Sequence, residues 1–259
     1  MKRLDLTLPT AAENVALDEA LLEAAEARAG EGGVARGVLR FWEPTTPLVV
    51  IGRSSRAAEE ARLDECARVG APVVRRASGG AAIVSGPGCL MYALVLSYEE
   101  FPLLRSIDAA HRFVLARMTS GLQTIVPGVT CQGTSDLVVS EHVACASDGA
   151  SHEDDKKFSG NSLRCKRGHL LYHGTLLYDF DLSLVERLLG TAPRQPKYRA
   201  GRSHGQFICN LPTTADQLRQ AISAAWNADE PLGDWPEAET ARLVAEKYTR
   251  DEWNLGGAS

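Results

Sequence analysis

Between residues 73 and 97 three strand-like runs (73–76, 82–84 and 90–97) succeed one another with only glycine-bearing turns between them. Strands that share a direction need a long crossover, usually a helix, so this stretch does not fit strict βαβ alternation. Around it, composition and helical spacing predict helices over 14–29, 59–69, 107–122, 182–189, 214–226 and 238–248. Further strands are expected over 38–42, 48–51, 137–139, 158–164 and 170–178. The expected fold is a single α+β domain over residues 1–259, with a mixed, largely antiparallel sheet packed with helices. Residues 147–157, SDGASHEDDKK, read as a polar loop, and residues 193–205, PRQPKYRAGRSHG, as a basic irregular segment.

A chain of 259 residues, 44% of them hydrophobic, can bury a full core without disulfides or metal. Its net charge of -5 and lack of a basic run give no reason to expect nucleic acid or anionic membrane as a partner, so any phosphate site must be local. No apolar run approaches the roughly 18 residues of a membrane span, and residues 1–9 lack the apolar core of a secretory signal. The six cysteines are scattered without a C-x-x-C pair, which fits a reducing cytoplasm.

Two segments carry the chemistry. In VVRRASGGAAIVSGPGCL a predicted strand ends in Arg75 and Arg76 and enters Ser78, Gly79 and Gly80. Backbone amides freed by such a turn, beside a guanidinium, suit an anion; the same residues also suit a tight turn with two solvated arginines. In KKFSGNSLRCKRGHLLYHGTLL, three of the chain's six lysines, Lys156, Lys157 and Lys166, gather around a strand. A lysine fixed at a strand end can clamp a carboxylate or phosphate, although exposed lysine is the commoner fate. His169 and His173 share a face, but no third ligand is suitably spaced, so no metal is assigned to them; His142 and Cys145 have as weak a claim. Cys131 sits in polar, glycine-containing surroundings, whereas Cys89 and Cys209 abut strands and read as core.

Taken together these segments resemble the lipoate–protein ligase A family, within the biotin/lipoate ligase and octanoyltransferase superfamily. Its R-R-x-[ST]-G-G-G-A-V motif is matched by Arg75, Arg76, Ala77, Ser78, Gly79, Gly80, Ala81, Ala82 and Ile83. Its K-[IVF]-S-G-[NS] motif is matched by Lys157, Phe158, Ser159, Gly160 and Asn161, and its H-H-G-T-L-L strand by residues 172–177, with His173 and Gly174. Residues 14–22, Asp136 with Leu137, and residues 247–254 resemble further family segments in the family's order.

The resemblance implies an enzyme that activates lipoate or octanoate with ATP as an acyl-adenylate. It then joins the acyl group to a lysine of a lipoyl domain of 2-oxoacid dehydrogenase complexes, or of the glycine-cleavage carrier protein. Arg76, helped by Arg75, would contact phosphate; the backbone of residues 81–84, ending at Val84, would line the nucleotide and acyl site; Lys157 would hold the acyl carbonyl and phosphate oxygens. Mg²⁺ would bridge the phosphates near Asp136. Three departures stand out: Ala81 replaces the third glycine, Ser85 stands where the family commonly has His, and no accessory domain follows, so a separate accessory chain is an open partner. Two alternatives remain: an ATP-independent octanoyl or lipoyl transferase working through a Cys131 thioester, and a non-catalytic acyl or nucleotide binder on the same fold.

Overall fold

A computed structural model describes residues 1–30, 37–140, 155–190 and 196–256. The chain opens with β1 (Lys2–Asp5), α1 (Ala11–Gly30), β2 (Val38–Trp42) and β3 (Leu48–Ile51), then the short helices α2 (Ala57–Glu60) and α3 (Leu63–Val69). Next come β4 (Val73–Arg75), β5 (Ile83–Ser85), β6 (Cys89–Ser97), α4 (Ile107–Leu122), β7 (Val129–Gln132) and β8 (Asp136–Val139). The remainder is β9 (Lys156–Cys165), β10 (His169–Leu177), α5 (Ser183–Leu188), α6 (His204–Phe207), α7 (Ala215–Trp226), β11 (Glu230–Pro231), α8 (Glu237–Leu243) and α9 (Asp251–Asn254).

The large sheet has the order β11-β1-β2-β6-β10-β9-β8-β7, and a small one the order β4-β3-β5. From β2 to β7 every neighbouring pair is antiparallel; β1 runs parallel to both β2 and β11, and β3 runs parallel to β4. This is the mixed, largely antiparallel α+β arrangement that the missing βαβ alternation implies. The helix α1 packs against β6 and β10 on one face of the large sheet, and α4 with α7 covers the other. Among the described residues no helix is long and apolar enough to cross a membrane.

Two boundaries differ from the sequence reading for identifiable reasons. The first helix begins three residues before Asn14, because the Thr10 side chain accepts from the Glu13 amide while the Glu13 carboxylate accepts from the Thr10 amide. That reciprocal cap satisfies amides that would otherwise lack partners. The helix expected over 59–69 is cut in two at Ala61, which turns extended and bridges to Leu189. Arg62 N–H donates to Leu188 and Gly190 N–H to the carbonyl of Glu60, so cross-chain pairing overrides helical propensity here. Of the polar loop expected over 147–157, only Asp155, Lys156 and Lys157 lie within the described residues, and both lysines are in β9. His142 and Cys145 lie outside them.

Candidate active site

Lys157 reaches the site through an irregularity in its strand. The β8–β9 ladder pairs Asp136 with Gly160 and Leu137 with Ser159, then jumps to Val138 with Lys157, leaving Phe158 as an extra residue. In a regular strand residues 157 and 160 would point to opposite faces; the bulge brings Lys157 onto the face of Asp136 and Gly160. Its ammonium lies 2.8 Å from Asp136 Oδ1. A Cβ on Gly160 would lie 2.9 Å from that ammonium, so glycine leaves it room. On its other side Lys157 is fixed by a bridge to Ile208 and by Cys209 N–H donating to its carbonyl.

The second oxygen of Asp136 accepts from the Tyr198 hydroxyl at 2.7 Å. Burial, and then the charge of Asp136, pushes the phenol well above its ordinary pKa, which keeps it a donor. Tyr198 packs against Phe207, ring centroids 5.2 Å apart. It comes from the segment read as irregular, and nothing in its sequence surroundings marks it. Tyr198→Phe is expected to lower turnover about tenfold while leaving the unfolding temperature nearly unchanged, since only one hydrogen bond to a charged group is lost. In an Asp136→Asn background the same substitution should have little effect; equal losses in both backgrounds would show that the hydroxyl does not act through Asp136.

The glycine loop between β4 and β5 faces this pair. Gly80 takes the left-handed conformation at φ 89°, and Ala81 does not, so the alanine at the family's third glycine meets no backbone strain. Arg76 is buried. Its Nε donates to Ser78 Oγ and Gly79 O at 3.1 Å each, Nη1 to Val50 O at 3.2 Å and Nη2 to Ala81 O at 3.0 Å. Burial lowers its pKa to about 10, a fall partly offset by the charge of Glu60. Arg75 turns away altogether, donating to the carbonyls of Gly52, Arg53, Ser55, Trp253, Asn254 and Gly256. Arg75 thus braces the backbone, while Arg76, with its donors on carbonyls and Ser78, lines the cavity described below. The amide of Ala82 is also taken, donating to Glu60 Oε2 at 2.7 Å.

Behind the loop lies a buried polar chain. Arg40 donates to Asp18 Oδ1 at 2.6 Å, and Asp18 Oδ2 lies 3.1 Å from His173 Nδ1. Since the carboxylate accepts at Nδ1, the imidazole Nε2 accepts from the Ser78 hydroxyl at 2.6 Å. Gly174 leaves space for the Asn161 amide, whose oxygen would lie 1.9 Å from a Cβ there. That amide donates to Ser135 O and accepts from Tyr92. His169 instead faces Glu26 at 2.9 Å.

A cavity of about 280 Å³ lies over these groups, with Val15, Trp42, Val50 and Met91 beside Lys157, Asp136 and His173. A second, of about 150 Å³, is walled by Phe158, Leu177, Val185, Leu189 and Phe207, with Val84 and Ser159, and takes in Glu60. Ala81, Ala82, Ile83, Lys157 and Gly160 line both, so Lys157 stands where the two meet. Cys131 lines neither: it pairs with Leu137 rather than Asp136, and its sulfur lies 3.1 Å from the Thr119 hydroxyl of α4. Among the described residues no cysteine lines either cavity. The Asp136 oxygens hold Lys157 and Tyr198, one each.

The sequence profile of the Lipoyl protein ligase A/B catalytic domain matches residues 10–228. The octanoyltransferase LipM of Brevibacillus brevis is 27% identical over 269 residues, covering 94% of each chain. That of Kyrpidia tusciae is 28% identical over 272 residues, covering 95% of this chain and 94% of its own. A bipartite lipoate protein ligase from Thermoplasma acidophilum, studied with its E2 lipoyl domain, shares the fold with a TM-score of 0.76 at 23% identity, covering all of this chain and 98% of its own.

Proposed function

The chain belongs to the lipoyl protein ligase A/B catalytic domain family, and on that premise we propose that it transfers an octanoyl or lipoyl group from a thioester to a lysine of a lipoyl carrier domain without ATP. It is an enzyme of the lipoyl ligase or transferase type. The observation that carries the ATP-independent reading is the state of the glycine loop: the Arg76 guanidinium and the Ala82 amide, two donors that a phosphate at this loop would use, are engaged within the protein. The octanoyltransferase relatives support the same reading.

In this reading the acyl chain lies along Val15, Trp42, Val50 and Met91, with its carbonyl at the Lys157 ammonium. The acceptor amine attacks that carbonyl, the C–N bond forms and the C–S bond breaks, and the sulfur leaves as a thiol carrying the proton lost by the amine. Lys157 meets the negative charge that develops on the carbonyl oxygen. The carrier is a lipoyl domain of a 2-oxoacid dehydrogenase complex or the glycine-cleavage carrier protein, with or without an accessory chain. No ATP or Mg²⁺ step is needed, because the thioester already supplies an activated acyl group.

Mass spectrometry of a lipoyl-domain acceptor tests this. Labelling from octanoyl carrier protein in the absence of ATP is the expected result; labelling only from lipoate with MgATP would reinstate the ligase. Neither would leave a binder. Because Cys131 faces α4, Cys131→Ser is expected to keep most of the activity, within about twofold. Loss of transfer together with loss of an acylated-enzyme mass peak would instead place a covalent intermediate on that sulfur.

A further inference from the structure

Glu60 is a buried carboxylate in the wall of the second cavity, and the reaction described above does not use it. It arrives there because α2 stops at Ala61, where the chain pairs with residues 188–190 instead of continuing as helix. Oε2 holds the Ala82 amide. Oε1 takes no donor from the described residues, and no Lys, Arg or His among them forms an ion pair with it. Arg76, whose charge it supports from nearby, has its donors on carbonyls and Ser78. The carboxylate also borders a further cavity, beside Ser55, Arg56 and Gly80.

From this arrangement, and resting on the thioester reading above, we propose that Glu60 selects the acyl donor by admitting a neutral arm that carries N–H or O–H donors, of the pantetheine type, and by repelling a nucleotide polyphosphate. Lys157 and Arg199 line the same cavity, so the discrimination is local to the Ala82 amide, where the carboxylate already sits. A carboxylate with one open oxygen gains from an amide or hydroxyl donor, and hydrogen bonds to a charged partner are the stronger kind. A phosphate brought to the Ala82 amide would have to displace that carboxylate and then lie beside it, and juxtaposed like charges are strongly unfavourable. The apolar wall of Phe158, Leu177, Val185 and Phe207 suits the methylene and dimethyl portions of such an arm.

The test uses octanoyl-pantetheine, adenosine and ATP as probes, with calorimetric binding and transfer to a lipoyl domain measured on the full chain. On the wild-type protein ATP is expected to bind no more tightly than adenosine. Glu60→Gln keeps the shape and an oxygen for Ala82 but removes the charge. It should tighten ATP at least tenfold, leave adenosine unchanged, and raise KM for octanoyl-pantetheine about tenfold. ATP binding tenfold or more tighter than adenosine on wild type, or an ATP affinity unmoved by Glu60→Gln, overturns the proposal. The wild-type comparison stands alone should the variant fail to fold. Failure of the underlying reading is distinct: it is pyrophosphate release from lipoate and ATP, with no transfer from octanoyl-pantetheine.

Discussion

Lys157→Met is expected to lower acyl transfer by about 10²-fold or more, the usual scale for losing one donor at a developing oxyanion. Methionine preserves the length of the side chain and its place against Gly160, so folding should survive. The same ammonium would serve an adenylate or a thioester, which makes this prediction independent of the acyl donor. Its partner experiment is Lys156→Met. Lys156 pairs with Val139 on β8, one step beyond the bulge, and lines neither cavity. Turnover and thermal unfolding recorded for both variants should show a kinetic defect in one and near wild-type behaviour in the other. A damaging Lys156→Met would mean that the strand presents the wrong lysine; harmless changes at both positions would remove this strand from the chemistry.

The largest loss of stability is expected from Arg40→Met. The Arg40 side chain is fully buried, donates to Asp18, to the Asn14 side chain and to the Leu6 and Asn14 carbonyls, and lies over the Trp42 ring. Removing it leaves the Asp18 carboxylate in the core without its cation and with the His173 ring as its remaining side-chain partner, a type of change that costs about 3–5 kcal/mol. For a chain of this size the midpoint of unfolding should fall by roughly 10 °C. Asp18→Asn added to Arg40→Met should recover part of the loss, because the stranded charge is then gone. A loss below about 1 kcal/mol in urea unfolding would show that the pair is not held in the low-dielectric interior described here.

Strand order and composition carried the α+β class and the position of both motifs, since hydrophobic periodicity and glycine turns are local properties. The direction in which Lys157 points is not local. Strict alternation from Asn161 gives one answer and the extra residue at Phe158 the opposite one, and the bulge is set by pairing with β8. Glu60 was hidden for a related reason: residues 59–69 have helical composition throughout, and only contact with residues 188–190 breaks them at Ala61. The two arginines illustrate a further limit. Their neighbourhood to Ser78 and Gly79 suits an anion, but a guanidinium also satisfies carbonyls, and which partner it takes depends on chain segments up to 181 residues away. Tyr198 had no signal at all, because a tyrosine in a basic loop becomes a partner for Asp136 only once that loop is folded over the sheet.

The clasp of Arg75 has a consequence for the biosynthesis of the site. This guanidinium joins the strand that leads into the glycine loop to the carbonyls of Trp253, Asn254 and Gly256, while Trp253 Nε1 donates back to the Arg75 carbonyl at 2.9 Å. During translation, at about 5–20 residues per second, β4 emerges long before those partners exist. Until residue 256 has cleared the ribosome, a six-acceptor cation has only the three carbonyls of residues 52, 53 and 55 to hold it. A nascent chain stalled before residue 250 should therefore have strands up to β10 free to pair and its glycine loop unbraced, and acyl transfer should appear only on release of the longer product.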